Sequence, residues 1–178
     1  MTETAIVAEV PEVEAALYLT RRSGVAAGAA GMPAHVTLLY PFTDSDQLPA
    51  GRIHELTDVV ASLPAFEVEF AETAWFENLD RAVLWLKPAP SEPFVAITEA
   101  LEREFPEHPA YAGRFDSVIP HLTVATGDNR AGLVQLERDV QRHLPIAARI
   151  QAAQLYEHRL DGWRLRDTFA LRGLGRRG

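Results

Sequence analysis

One short pattern occurs twice in this chain and constrains both its fold and its chemistry. The copies are His35-Val36-Thr37-Leu38, within the segment 33–42, and His121-Leu122-Thr123-Val124, within the segment 119–124. Residues i and i+2 of a β-strand point to the same face of a sheet. Each copy is therefore predicted to be a strand that presents an imidazole and a hydroxyl side by side, roughly 7 Å apart, over an apolar back.

The repetition makes this pattern informative. With 6 histidines in 178 residues, chance gives roughly 0.4 His-x-Thr triplets. Requiring apolar residues at both remaining positions lowers the chance of two copies to roughly a few in a thousand. A single histidine on a strand is usually a surface group or a hydrogen-bonded core group, whereas two matching copies favour a functional pair.

The two motifs resemble those of the 2H phosphoesterases, also called the 2′-5′ RNA ligase-like family. The resemblance extends from Ala5 to about Leu171. It implies an α+β, LigT-like fold of two pseudo-symmetric lobes, each an antiparallel sheet with helices outside, around a central cleft. It also implies metal-free opening of cyclic phosphates, cleavage of 2′-5′ linkages, or the reverse ligation. We expect a single domain, residues 1–178, with two intertwined lobes.

The order of predicted elements agrees with a duplication. Helix, hairpin, helix and motif strand follow one another, and the motif histidines lie 86 positions apart, about half the chain. One hairpin is expected to join strands 66–75 and 82–87 through a turn at 78–81. A second is expected to join strands 146–160 and 163–171 through Asp161-Gly162.

Composition narrows the function classes. The chain has no cysteine, which excludes disulfides, thiolate metal sites and cysteine nucleophiles. Its net charge of −8 argues against an extended duplex-binding surface, which needs many Lys and Arg against phosphates. No apolar stretch approaches the roughly 20 residues of a membrane span, and the N-terminal residues do not resemble a signal peptide. We expect a cytoplasmic monomer.

The side chains of the two motifs suit phosphoryl chemistry. Histidine can give or take a proton near neutrality, so one of His35 and His121 can act as base while the other acts as acid. The hydroxyls of Thr37 and Thr123 can hold the non-bridging oxygens of a phosphate. The expected substrate is a nucleotide or RNA terminus with a 2′,3′-cyclic or 2′-5′ phosphodiester, and no cofactor is expected. The sequence leaves open which histidine is base and which is acid.

Three residues near the motifs are weaker candidates for substrate contacts. Tyr111 lies in a predicted loop, and Arg114 follows it at a position from which it could meet a phosphate. Tyr40 could stack on a base, although its parity with Leu38 favours the core.

Three other interpretations remain open from the sequence. A zinc or di-metal site would need three or four His, Cys or carboxylate ligands, which the motifs do not supply. A 2′-5′ RNA ligase would use the same residues in the joining direction. A non-catalytic nucleotide or RNA-end binding module would not need two proton-transfer groups.

The four candidate catalytic residues predict an activity that does not depend on a metal ion and so resists chelation. Two histidines and two threonines can carry the proposed chemistry without an ion, so hydrolysis of 2′,3′-cyclic nucleotides should persist in EDTA. Turnover that stops in EDTA and returns with zinc or manganese would contradict this expectation.

Overall fold

The computed structural model describes residues 2–21, 31–76, 81–114 and 118–173. Within these ranges the chain forms eight strands and four α-helices. The strands are β1 (Thr4–Glu9), β2 (His35–Leu39), β3 (Phe66–Phe76), β4 (Ala82–Ala89), β5 (Leu122–Gly127), β6 (Ile146–Ile150), β7 (Ala152–Arg159) and β8 (Gly162–Ala170). The helices are α1 (Pro11–Arg21), α2 (Ala50–Ser62), α3 (Glu92–Glu104) and α4 (Val134–Gln141). The predicted α+β class is confirmed.

All eight strands belong to one antiparallel sheet in the order β6-β3-β4-β5-β2-β1-β7-β8. The expected two sheets are its two four-stranded halves, which meet where β2 pairs with β5 through Val36 and Leu122. Both motif strands therefore lie at the centre of the sheet and next to each other. We propose that the two halves are the lobes of a single domain.

The helices cover one face of this sheet. Their apolar stripes join the main core cluster with the inward residues of the strands, as Val13, Leu56, Ile97 and Val140 illustrate. A smaller cluster lies on the opposite face and consists of Ala5, Val7, Met32 and Tyr156, with Tyr40 and Trp163 packed against it. We call the first face the helix face and the second the motif face, because Val7 is the strand partner of Thr37.

The C-terminal region differs from the prediction. The expected single strand 146–160 is two strands, because the chain leaves one half of the sheet at Ile150 and enters the other at Ala152. β6 pairs with β3, whereas β7 pairs with β1 and β8. In a flat sheet these strands would be six spacings of about 4.8 Å apart, roughly 29 Å. One connecting residue cannot span that distance, so the sheet must curl.

The other predicted elements are present with small shifts in their ends. The predicted hairpin of β3 and β4 is confirmed by their antiparallel pairing; residues 78–80 of its predicted turn lie outside the described ranges. The second predicted hairpin joins β7 and β8, and its turn ends at Gly162, whose φ of +119° is a conformation that glycine tolerates well. No helix among the described residues has the length and apolar character needed to cross a membrane.

A buried hydrogen bond fixes the first motif strand to the helix layer. Thr98, on α3, is 4% exposed, and its hydroxyl donates to the backbone carbonyl of Leu38 on β2 at 2.8 Å. The preceding residues Phe94 and Ile97 are buried on the same helix. This hydrogen bond, together with the packing of α3, therefore fixes the position of β2 against the helix layer.

This hydrogen bond gives a stability prediction. Thr98→Val should lower the free energy of unfolding by about 1–2 kcal/mol, because a buried hydroxyl donor is lost with little change in shape. Thr57→Val is the matched control: the Thr57 hydroxyl donates to Ile53 at 2.8 Å on an exposed helix face, and its loss should change stability by less than about 0.5 kcal/mol. Urea unfolding measures both, and equal losses would contradict the assignment.

Candidate functional site

The two motif strands alternate as predicted. Val36, Leu38, Leu122 and Val124 are all buried in the main core cluster. The motif residues between them, His35, Thr37, His121 and Thr123, are each partly exposed. The apolar residues therefore anchor the strands on the helix face while the four polar side chains project from the motif face.

The register of β2 and β5 brings the four polar residues together. Val36 lies opposite Leu122 in an antiparallel pair. Continuing that register by one residue places Thr123 across from His35 and His121 across from Thr37. The four residues then occupy the corners of a quadrilateral, with the histidines on one diagonal and the threonines on the other. Diagonal neighbours in such a pair are roughly 7–8 Å apart, which leaves room for a phosphate between them.

Both histidines are oriented by the same backbone contact. The Nδ1–H of His35 donates to the carbonyl oxygen of Pro33, and that of His121 donates to the carbonyl oxygen of Ile119, each at 2.7 Å. A carbonyl oxygen can only accept, so the proton of the neutral ring is on Nδ1. Nε2 is therefore the nitrogen of each neutral ring that can accept a proton. The two rings are thus equivalent in tautomer and related by the pseudo-twofold arrangement of the strands.

The surroundings of His121 are aromatic. Its ring packs edge-on against Phe76 of β3 and Trp85 of β4, with centroid distances of 5.0 and 5.9 Å. Burial lowers the pKa of His121 below its ordinary value, and the hydrogen bond to the Ile119 carbonyl opposes that shift without cancelling it. The neutral imidazole, which can accept a proton, is therefore the form favoured at neutral pH.

The surroundings of His35 are polar. Its strand partner on β1 is Glu9. The Glu9 carboxylate accepts a hydrogen bond from the hydroxyl of Tyr156 at 2.6 Å, and the Glu9 backbone N–H donates to the side chain of Gln154 at 3.0 Å. Burial, then the bond to Glu9, raises the pKa of Tyr156 well above its ordinary value, so it stays a donor. A fixed carboxylate thus lies on the strand beside His35.

Tyr40 is not in the main core, contrary to its parity with Leu38. Leu38 and Leu39 are both buried there, because the pairing of β1 with β2 shifts register between Ile6 and Val7. The shift turns Tyr40 to the motif face. Its ring meets Trp163 edge-on at 6.1 Å and its hydroxyl donates to Glu3 at 2.9 Å.

Tyr111 and Arg114 lie near the far end of β2. The Tyr111 backbone N–H donates to the Tyr40 carbonyl at 2.6 Å, and its ring packs against the main core. Arg114 is exposed, and its charge is the smallest of the influences on the pKa of Tyr40, which burial raises overall. The structure thus groups the three weaker candidates at one end of β2, beyond Thr37.

Four residues of the site were not identified from the sequence. Phe76, Trp85, Glu9 and Tyr156 reach the motifs only through pairing between strands. The one local signal for these neighbours in the sequence was Trp85 itself, an aromatic residue within the otherwise aliphatic segment 82–86 of β4. Within the described ranges, no three His, Asp or Glu side chains come together as a set that could hold a metal ion.

Comparisons with known proteins identify the family and the fold of the chain. Residues 5–162 match the model of a family described as the 2′-5′ RNA ligase superfamily. No curated protein matches the chain. The fold is shared with TT0787 of Thermus thermophilus, which is 20% identical over 96% of this chain and 98% of that chain, with a TM-score of 0.66.

Two further solved structures share the fold with the same coverage of both chains. Apo LigT of E. coli is 16% identical with a TM-score of 0.65, and Usb1 of Kluyveromyces marxianus is 14% identical with a TM-score of 0.52. LigT has also been solved complexed with 3′-AMP and with phosphate.

The aromatic cover of His121 gives a titration prediction. The ring should titrate below the ordinary value of about 6.5, and Phe76→Ala should move its pKa upward by readmitting water. Phe76→Leu, which keeps apolar cover, should move it much less. Because the folded pKa is depressed, the stabilising effect of neutral His121 is complete above about pH 6.5 and is lost as pH falls through the folded pKa.

NMR titration of the imidazole resonances measures the shift directly. A His121 pKa at or above about 6.5 in the unmodified protein, or no difference between the alanine and leucine variants, would contradict the assigned role of burial.

Proposed function

Because the chain belongs to the 2′-5′ RNA ligase superfamily over residues 5–162, we propose that it is a 2H-type phosphoesterase. Its proposed substrates carry a 2′,3′-cyclic phosphate or a 2′-5′ phosphodiester at an RNA end or on a small nucleotide. The observation that carries the proposal is the pair of carbonyl-oriented histidines facing each other diagonally across the β2–β5 pair. An isolated core or surface histidine would not be expected to have such a symmetric partner.

The proposed step is an in-line displacement at phosphorus. The neutral Nε2 of one histidine takes a proton from water while the water oxygen bonds to phosphorus. The bond from phosphorus to a ribose oxygen breaks, and the Nε2–H of the other histidine protonates that oxygen. Histidines on one diagonal suit this geometry, because the entering and leaving oxygens lie on opposite sides of phosphorus. The threonine hydroxyls on the other diagonal would donate to the non-bridging oxygens.

The unequal surroundings of the rings suggest their roles in hydrolysis. His121 is held neutral by burial against Phe76 and Trp85, which suits a base. His35 has the carboxylate of Glu9 on the neighbouring strand, and a nearby negative charge suits a group that must hold a proton. We therefore assign His121 as base and His35 as acid, with the roles exchanged when the reaction runs in the joining direction.

The proposed substrate class rests on charge and on the fold's relatives. A net charge of −8 does not favour a long nucleic-acid duplex, whereas one nucleotide or a short RNA end needs only a local site. That LigT is complexed with 3′-AMP and with phosphate supports a nucleotide-sized ligand here. Turnover of 2′,3′-cyclic mononucleotides, 2′-5′ dinucleotides and ADP-ribose cyclic phosphate would define the class.

The same assays separate the remaining alternatives. Joining of a cyclic-phosphate-ended RNA to a 5′-hydroxyl RNA would identify a 2′-5′ RNA ligase. Binding of a nucleotide without turnover of any substrate in the panel would identify a binding module.

Single substitutions test the four assigned residues. His35→Ala and His121→Ala should each lower kcat by roughly 10²–10⁴, the usual contribution of one acid or base, and the double variant should fall little further because the two act as a unit. Thr37→Val and Thr123→Val keep the branched shape and should each lower kcat on the order of 10²-fold.

Thr126→Val is the matched control on β5. Thr126 is partly exposed and lies opposite Val83, outside the motif, so its variant should keep wild-type kcat. Wild-type activity in both motif valine variants would exclude hydroxyl contacts to the phosphate. Unfolding of the His variants, seen by circular dichroism, would show that the rings have a structural role instead.

A further inference from the structure

Trp85 lies beside the proposed phosphate position. Its partner on the neighbouring strand is Thr123, so both side chains belong to the motif face. The indole stacks on Phe76 with a centroid distance of 4.8 Å and an interplanar angle of 21°. With His121, 5.9 Å away, the three rings form a compact aromatic cluster next to the second motif.

The indole N–H of Trp85 has no hydrogen-bond partner among the described residues, although it is closed off from solvent and the residue is 6% exposed. Buried tryptophan donors usually find an acceptor, and an unpaired one is unfavourable. Trp75 shows the usual outcome, since its indole N–H donates to Glu137 at 3.0 Å. A phenylalanine at position 85 would supply the same stacking without an unpaired donor. Packing alone therefore does not account for the indole nitrogen.

We propose that the Trp85 indole N–H is a substrate-binding donor for a non-bridging phosphate oxygen. This inference rests on the proposed function and specifies the ligand contact. Directly opposite residues on neighbouring strands have Cβ atoms about 4.5–5.5 Å apart, so an oxygen held by the Thr123 hydroxyl lies within reach of the indole. Within the described part of the chain, the rings of Phe76 and His121 pack against Trp85, and the proposal includes a movement of these rings that exposes the donor when phosphate binds.

The donor also breaks the pseudo-twofold symmetry of the site. The residue in the corresponding place beside Thr37 is Val7, whose side chain is a hydrocarbon. A phosphate between the motifs would thus receive one more hydrogen bond on the Thr123 side. The extra donor would favour one orientation of the substrate, the one that places its entering and leaving oxygens correctly for the two different histidines.

Indole ¹⁵N–¹H NMR tests the contact in the unmodified protein. The chain has 3 tryptophans, so the three Nε1–H resonances can be assigned with Trp→Phe variants. Titration with inorganic phosphate and then adenosine 2′-monophosphate should move the Trp85 resonance downfield. The shift should saturate at the same Kd as the changes at His35 and His121, while the Trp75 resonance stays in place.

The outcomes of the titration separate the two proposals. Saturable changes at both histidines without a change at Trp85 would overturn the Trp85 assignment and leave the proposed function standing. No change at either histidine with either probe would remove the phosphate site, and both proposals with it.

Trp85→Phe, with Trp75→Phe as the matched control, adds a second readout. Trp85→Phe should lower kcat/KM roughly ten-fold, because the bound phosphate loses one donor, whereas Trp75→Phe should leave kcat/KM unchanged. In the ligand-free protein both variants lose ring volume, but only Trp75→Phe also loses a hydrogen bond, so Trp85→Phe should lower Tm less than Trp75→Phe. An unchanged kcat/KM in Trp85→Phe, or a Tm lowered as much as in Trp75→Phe, would overturn the assignment.

Discussion

The antiparallel contact between Val36 and Leu122 is the constraint on which the rest of the site depends. It joins the two halves of the sheet at their central strands. Each strand alone presents one histidine and one threonine on the same face. Pairing of the two strands places these four residues at the corners of one site, with the histidines on one diagonal and the threonines on the other. Because side chains alternate along a strand, a slip of one residue would turn one motif toward the helix face and dismantle the site.

The two motif strands have nearly symmetric backbones, but the side chains around the two histidines differ. Both rings are fixed by the carbonyl two residues earlier, so the two motifs present the same tautomer. The flanking strands then differ: β4 contributes Trp85 next to the second motif, and β1 contributes Val7 and Glu9 next to the first. An enzyme that must take a proton on one side of phosphorus and give one on the other needs this kind of difference. We therefore attribute the proposed difference in role between the two histidines, base or acid, to the flanking strands rather than to the motifs.

Local pattern predicted much of the fold, because strand alternation, helix periodicity and turn residues act over a few positions. The pairing of β3 with β4 and the turn between β7 and β8 were predicted correctly for this reason. The break at Gln151 was missed, since the strand-like pattern of residues 146–160 does not reveal which partner each part of the segment pairs with. The placement of Tyr40 depended on a register shift in the pairing of β1 with β2, which the sequence of β2 alone does not reveal. Trp85 and Glu9 became visible as neighbours of the motifs only once the strand order was known.

The most direct test of the account is a crystal structure with a nucleoside vanadate, which copies five-coordinate phosphorus. We expect the two apical oxygens to lie at hydrogen-bond distance, about 2.7–3.1 Å, one from Nε2 of His35 and the other from Nε2 of His121. Equatorial oxygens should meet the hydroxyls of Thr37 and Thr123. Vanadate bound with both histidines on one side of the vanadium, or bound away from the β2–β5 pair, would contradict it.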